Sequence, residues 1–205
     1  DLIELLERVV LHGSEFATNP NLQNLLILTA IQCSTDEDAP QGRVLDYIHR
    51  LDAFDAVKIG RIALQPEYQL YNEAFEVYTK FKMEREAVEV LLHHMGDLEK
   101  AGQFADRINS PEVWSSLGSA HLSASNVTAA VDSFLRAEDA SNFTAVIEVA
   151  EREEAYEELS RYLVMARSKV KEATVDTALL LAYAKCGRMS DVEEFLATPN
   201  VADIQ

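Results

Sequence analysis

Glycine and proline are scarce, at seven and five residues in a chain of 205. Glycines this thinly scattered cannot form a phosphate-cradling loop. Long stretches without a turn cluster, rich in Ala, Leu and Glu, argue against an all-β fold. Cysteine is scarcer still: Cys33 and Cys186 lie far apart in the sequence and form no disulfide framework. They fit small apolar packing residues in a reducing, cytoplasmic setting. Positive charge is also short, with 18 Lys and Arg against 35 Asp and Glu and a formal net charge of −17. Such a chain repels phosphate, so neither nucleic acid nor an anionic membrane surface is an expected partner. No apolar run approaches the ~18 residues of a membrane span, so no membrane insertion is expected. The opening DLIELLERVVLHG lacks the basic leader of a signal peptide. The sequons at Asn126 and Asn142 then read as chance, and Asn126 has a better role as a helix cap.

What is present is helical periodicity, with 48% of residues hydrophobic. Leu2, Ile3, Leu6 and Val10 mark a first amphipathic helix ended by Gly13. The stretch NLQNLLILTAI from Asn21 is apolar on nearly all sides and predicts a helix buried between neighbours. An acidic loop over 34–41 follows, and the helical pattern resumes at Arg43. Pro66 fits a first helical turn. Gly96-Asp97 reads as a left-handed stop followed at once by a cap, Ser110-Pro111 as a cap and first turn, Asn126 and Ser141 as further caps, and Gly187 as a stop.

Five segments align: YNEAFEVY from Tyr71, LEKAGQFA from Leu98, VTAAVDSF from Val127, YEELSRYL from Tyr156 and MSDVEEFL from Met189. Each has apolar or small residues at positions one, four and eight. The fourth positions are Ala74, Ala101, Ala130, Leu159 and Val192; the eighth are Tyr78, Ala105, Phe134, Leu163 and Leu196. Val44, Tyr47 and Leu51 fit one unit earlier. The spacing between segments wanders around 29 residues, which two helices and short turns fill. A helix pair of this size cannot bury its faces alone, so successive pairs stack. The expected fold is all-α: a right-handed α-solenoid of stacked antiparallel helix hairpins, about seven pairs across residues 1–205. Neither end looks like a polar capping repeat, which predicts a fragment of a longer solenoid.

Catalytic chemistry is not expected, nor is any cofactor. His93 and His94 are adjacent, point about 100° apart on a helix and do not share a metal; they fit a helix C-terminus beside Gly96. His121 fits a helix interface and Trp114 a core anchor between helix pairs. The carboxylates around Glu151 form a solvated helix face. One basic cluster stands out: Arg161, Arg167, Lys169 and Lys171. Its residues fit i, i+4 pairing along an exposed helix, or a contact for an acidic protein partner.

Several stretches resemble clathrin heavy chains. They are ELLERVVL, the run from Asn21, DYIHRLDAFDA from Asp46, EVWSSL from Glu112, AAVDSFLRAED from Ala129, EELSRYLVMARSKVKE from Glu157 and PNVADIQ from Pro199. They keep the family's order over essentially the whole chain. The resemblance implies a leg segment near the knee and the start of the proximal leg. It also implies a structural role in a triskelion whose legs interdigitate into the lattice of coated pits and vesicles, on their cytoplasmic face. Other heavy chain legs are then the partners, with the light chain mostly beyond the C-terminal end of this segment. The acidic loop over 34–41 looks longer than the family pattern. An alternative is a helical-repeat subunit of a vacuolar-sorting or vesicle-tethering complex. The stretch LLAYAKCGRMSDVEEFL from Leu180 looks locally like a pentatricopeptide repeat, which would bind RNA, but the spacing and charge do not suit it.

Overall fold

A computed structural model describes residues 2–12, 15–35, 42–199 and 202. Gly13 and most of the acidic loop lie outside the described residues. Among those described, every regular element is helical: α1 (Leu2–Leu11), α2 (Pro20–Cys33), α3 (Arg43–Arg50), α4 (Ala56–Ala63), α5 (Tyr71–Lys80), α6 (Glu84–Glu89, running into a π-helical turn over Val90–Met95), α7 (Leu98–Ile108), α8 (Pro111–Ser123), α9 (Val127–Ala137), α10 (Phe143–Arg152), α11 (Tyr156–Lys169), α12 (Ala173–Lys185) and α13 (Met189–Ala197). The protein is all-α.

The chain divides into two compact units, Asp1–Asp97 and Leu98–Gln205. In the first, α1 packs on α2, α2 on α3, α4 on α5 and α5 on α6, and α2 also meets α4 while α3 meets α5. Its core gathers Leu26, Ile27, Ile31, Tyr47, Ile48, Ile59 and Leu91, all essentially inaccessible. In the second, α8 lies closely against α9, α9 also meets α11, and α11 packs on α12. That core holds Val131, Phe134, Leu159, Tyr162, Leu163 and Val175. Short connections between packed helices make hairpins, and contact between helices two apart stacks one hairpin on the next. This is the α-solenoid pattern within each unit.

The five aligned segments each begin a helix: Tyr71, Leu98, Val127, Tyr156 and Met189 are the first residues of α5, α7, α9, α11 and α13. Positions four and eight are buried in the first four helices. In α13 they are not: Val192 is half-buried and Leu196 is 49% exposed, while Phe195 turns inward instead. Position seven is the more uniform core site, with Val77, Phe104, Ser133, Tyr162 and Phe195 all buried. The eighth-position ring packs against a glycine of the preceding helix. A Cβ on Gly60 would lie 2.4 Å from the Tyr78 ring, and one on Gly118 would lie 2.9 Å from the Phe134 ring. α2 buries Leu26, Ile27, Ala30 and Ile31 as expected, but Leu25 remains exposed.

Tight turns come without glycine. Lys82, Ser125, Glu138 and Glu154 all adopt positive φ. After each, the next N–H reaches back five residues: Met83 to Tyr78 O, Asn126 to His121 O, Asp139 to Phe134 O and Ala155 to Ala150 O, at 2.8–3.0 Å. Gly187 closes α12 the same way, with Arg188 N–H donating to Tyr183 O. These closures satisfy the orphan carbonyls of a helix end and let the next helix start at once. Gly96 is left-handed as expected.

At helix starts, Asn126 caps α9 by accepting from Ala129 N–H at 3.2 Å, and Asn19 and Asp55 cap α2 and α4. Pro111 takes the first turn of α8, but Ser110 makes no side-chain cap bond. Two expectations need correcting. Ser141 is not a cap, because its N–H and hydroxyl both donate to Asp139 Oδ1. Pro66 lies in a turn after α4 rather than in a helix, where its carbonyl accepts from Gln69 Nε2.

Candidate functional site

The histidines and cysteines do not converge. His93 and His94 are exposed at the end of the π-helical turn, with the His94 ring 5.4 Å from that of Tyr71. His121 is half-buried with Nδ1 shut away from any hydrogen-bond partner, and burial lowers its pKa. Cys33 and Cys186 are free and half-buried. Among the described residues, no group of three or more His, Cys, Asp or Glu is placed to hold a metal ion. Trp114 is buried as an anchor: its indole N–H donates to Asn109 Oδ1 at 3.2 Å and the Arg136 guanidinium lies 4.4 Å above its ring.

Polar chemistry is organised by the repeat instead. Arg136 pairs with Asp106 at 2.7 Å, Arg161 with Asp132 at 2.8 Å, and Lys169 with Glu138 at 2.9 Å, spanning 30, 29 and 31 residues. Thr128 donates to Glu158 across 30 residues. In the first unit, Gln23 and Asn24 accept the N–H groups of Ala53 and Asp55 across 30 and 31 residues. Lys80 reaches back to cap α3, donating to Ile48 O at 2.8 Å and Leu51 O at 2.6 Å and pairing with Asp52. Each link therefore spans about one repeat and ties a hairpin to the next. The exposed ion pairs are screened by solvent and each contributes little. Lys80 is less exposed and satisfies carbonyls that a helix end leaves open, so its links are stronger.

The basic cluster falls within this system. Arg161 and Lys169 are two of the links just described, and Lys169 also donates to Glu138 O at 2.8 Å. Arg167 bonds Asp176 Oδ1 at 2.8 Å and Pro199 O at 2.9 Å, and its guanidinium lies 4.4 Å over the Phe195 ring. The partners sit on or beside neighbouring helices rather than four residues along the same one. Lys171 is exposed and has no ion pair among the described residues. With Arg167 and Asp176 it lines a groove of about 570 Å3 whose apolar wall is Val164, Val170 and Pro199.

A node that the sequence reading did not identify lies at Asp139, between α9 and α10. Its carboxylate accepts from the Ser115 hydroxyl on α8, from Ser141 N–H and hydroxyl, and from Asn142 Nδ2, while its carbonyl accepts from Tyr162 on α11. Burial acts to raise its pKa, but these donors outweigh it and leave the carboxyl below its ordinary value. Burial, and then the Asp139 charge, raises the Tyr162 phenol. The DASN run was the available signal, because Asp readily closes such turns on nearby N–H groups.

Comparison with known proteins fits this architecture. A family described as "Region in Clathrin and VPS" matches residues 1–128 and 134–205. The clathrin heavy chain of Dictyostelium discoideum is 47% identical over 205 residues, that of Drosophila melanogaster 46%, and clathrin heavy chain 2 of Homo sapiens 45%. Each comparison covers 100% of this chain and 12% of the relative, so the chain spans about an eighth of their length. With nearly every residue matched and the helical repeat in place, the chain belongs to the family of the region shared by clathrin and VPS proteins, on its clathrin heavy chain side.

Proposed function

We propose that this chain is a structural, non-enzymatic segment of a vesicle coat, forming part of the leg of a clathrin triskelion near the knee. The observation that carries the reading is end-to-end similarity to clathrin heavy chains, at 44–47% identity, on a chain built from stacked helix pairs. Stacked hairpins tied at one-repeat intervals distribute stiffness over many small interfaces. Many weak side contacts between legs sum through multivalency, while each stays breakable for disassembly. Its partners are other heavy chain legs in a polyhedral lattice on the cytoplasmic face of coated pits and vesicles. Light-chain contact falls mostly beyond the C-terminal end of the segment. No nucleic acid and no membrane insertion enter the mechanism, and no helix among the described residues is long and apolar enough to cross a membrane. A vacuolar-sorting or tethering subunit shares the family description, but the relatives above are all named as clathrin heavy chains. Electron microscopy of the full-length parent protein tests the reading. Three-legged particles that assemble into cages are expected; compact or unbranched particles would overturn it.

A further inference from the structure

A second groove lies wholly within the first unit, lined by α4, α5 and α6 with its π-helical turn. Its volume, about 390 Å3, falls in the range of sites that hold ligands. Tyr78 lines it, although the residue is only 3% exposed. A Cβ on Gly60 would stand 2.5 Å from the Tyr78 hydroxyl oxygen, so the ring is wedged against the α4 backbone. Burial, then the Glu86 charge, raises the phenol's pKa, with Arg61 and Glu89 also acting on it. All three charged residues line the groove, which places the hydroxyl at the groove too. Among the described residues that hydroxyl has no hydrogen-bond partner. Buried hydroxyls are ordinarily paired, and this one is left as a donor aimed at open space.

Charge selects the occupant. Two arginines and two glutamates line the groove, in balance. Arg85 and Glu89 pair with each other at 3.1 Å, and the His94 ring is engaged with Tyr71. The side chains of Arg61 and Glu86 have no ion pair or hydrogen bond among the described residues. One guanidinium, one carboxylate and one phenol hydroxyl therefore remain, beside the apolar side chains of Leu64 and Val90. A carboxylate ligand would be repelled by Glu86, and an ammonium by Arg61. A primary amide suits both: its carbonyl accepts from the hydroxyl or the guanidinium, and its NH2 donates to the carboxylate. Glutamine adds an aliphatic stem to lie on Leu64 and Val90. We propose that this groove docks a glutamine side chain of a partner protein, with the amide carbonyl on the Tyr78 hydroxyl and the NH2 on Glu86. The inference does not depend on the coat reading, since it uses only the groove and its unpaired groups.

The test uses the full chain, isotopically labelled for NMR, and blocked tripeptides of alanine with Gln, Glu, Lys or Leu at the centre. The Gly60 amide reports occupancy, because the Tyr78 hydroxyl lies against that residue. The Gln peptide should bind saturably with a Kd of about 1 mM, and the other three about fivefold more weakly or worse. Tyr78→Phe should weaken the Gln peptide about three- to tenfold, the value of one hydrogen bond. Because the hydroxyl has no partner within the fold, this variant should melt no lower than the parent, which separates docking from a structural role. Glu86→Leu should weaken binding similarly, and Lys58→Gln on α4 should leave it unchanged. No saturable shift up to about 10 mM Gln peptide, or binding unchanged by Tyr78→Phe, would overturn the proposal. So would tighter binding of the Glu or Lys peptide, since the groove would then select a charge.

Discussion

Asp139 joins three helices through one carboxylate and one carbonyl: Ser115 comes from α8, Tyr162 from α11, and Ser141 and Asn142 from the turn entering α10. A carboxylate held below its ordinary pKa binds protons more readily in the unfolded chain, so stability must fall with acid. The contribution is fully present above about pH 4 and is lost as pH drops through the depressed native value. His121 adds a separate window. Burial also depresses its pKa, so its contribution is present above about pH 6.5 and is lost as pH falls through the native value. Denaturant titrations at pH 7, 5.5 and 3.5 should therefore show two steps of destabilisation. Asp139→Asn keeps the shape but loses the charge-assisted bonds, and should cost about 1–2 kcal/mol at pH 7. It should also shrink the lower of the two steps, part of which belongs to Glu138 beside Lys169. An unchanged denaturation midpoint at pH 7 would mean that the node carries little stability.

Helix pairs are specified by small residues facing large ones, and the structure shows which small residue matters. Sequence alignment pointed to position four of each repeat, where Ala74, Ala101 and Ala130 are indeed buried. Gly60 and Gly118 on the preceding helices also face large residues, and neither leaves room for a Cβ beside Tyr78 and Phe134. A repeat alignment compares like with like and cannot see the helix across the hairpin. The cations illustrate the same limit. Helical spacing suggests partners four residues away, whereas Arg136, Arg161 and Lys169 pair across 29–31 residues. The helix starts were legible because apolar periodicity restarts with each hairpin. The left-handed Lys82, Ser125, Glu138 and Glu154 were not, because their side chains give no sign of the backbone they adopt. Two substitutions separate contact from propensity. Gly118→Ala should destabilise by about 1–3 kcal/mol, since its methyl group would overlap the Phe134 ring. Gly102→Ala, in α7 with nothing within 4 Å of the new Cβ, should stabilise by about 0.5–1 kcal/mol. Thermal melts that moved in the same direction would show that packing at Gly118 does not set its identity.

At the scale of the whole molecule, charge decides between helical-repeat functions that share similar helices. The stretch from Leu180 has a local likeness to RNA-binding repeats, and the surplus of carboxylates contradicts it. Phosphate binding draws its free energy from releasing counterions to a broad cationic surface. This chain carries a net charge of −17. Many of the cations it has are already committed: Lys80, Arg136, Arg161, Arg167 and Lys169 all pair with carboxylates of the same chain. Freeing Lys80, Arg136, Arg161 and Lys169 for phosphate would break bonds that tie one hairpin to the next. Single-stranded RNA should therefore show no saturable binding up to about 100 µM protein at physiological salt, the weak end of the usual non-specific range. Lowering the salt should rescue little, because net repulsion lengthens in range as screening weakens. Fluorescence anisotropy with a labelled oligonucleotide measures this directly. Sub-micromolar affinity would require a cationic surface among the remaining lysines and arginines, and it would reopen the RNA-binding reading over the structural one.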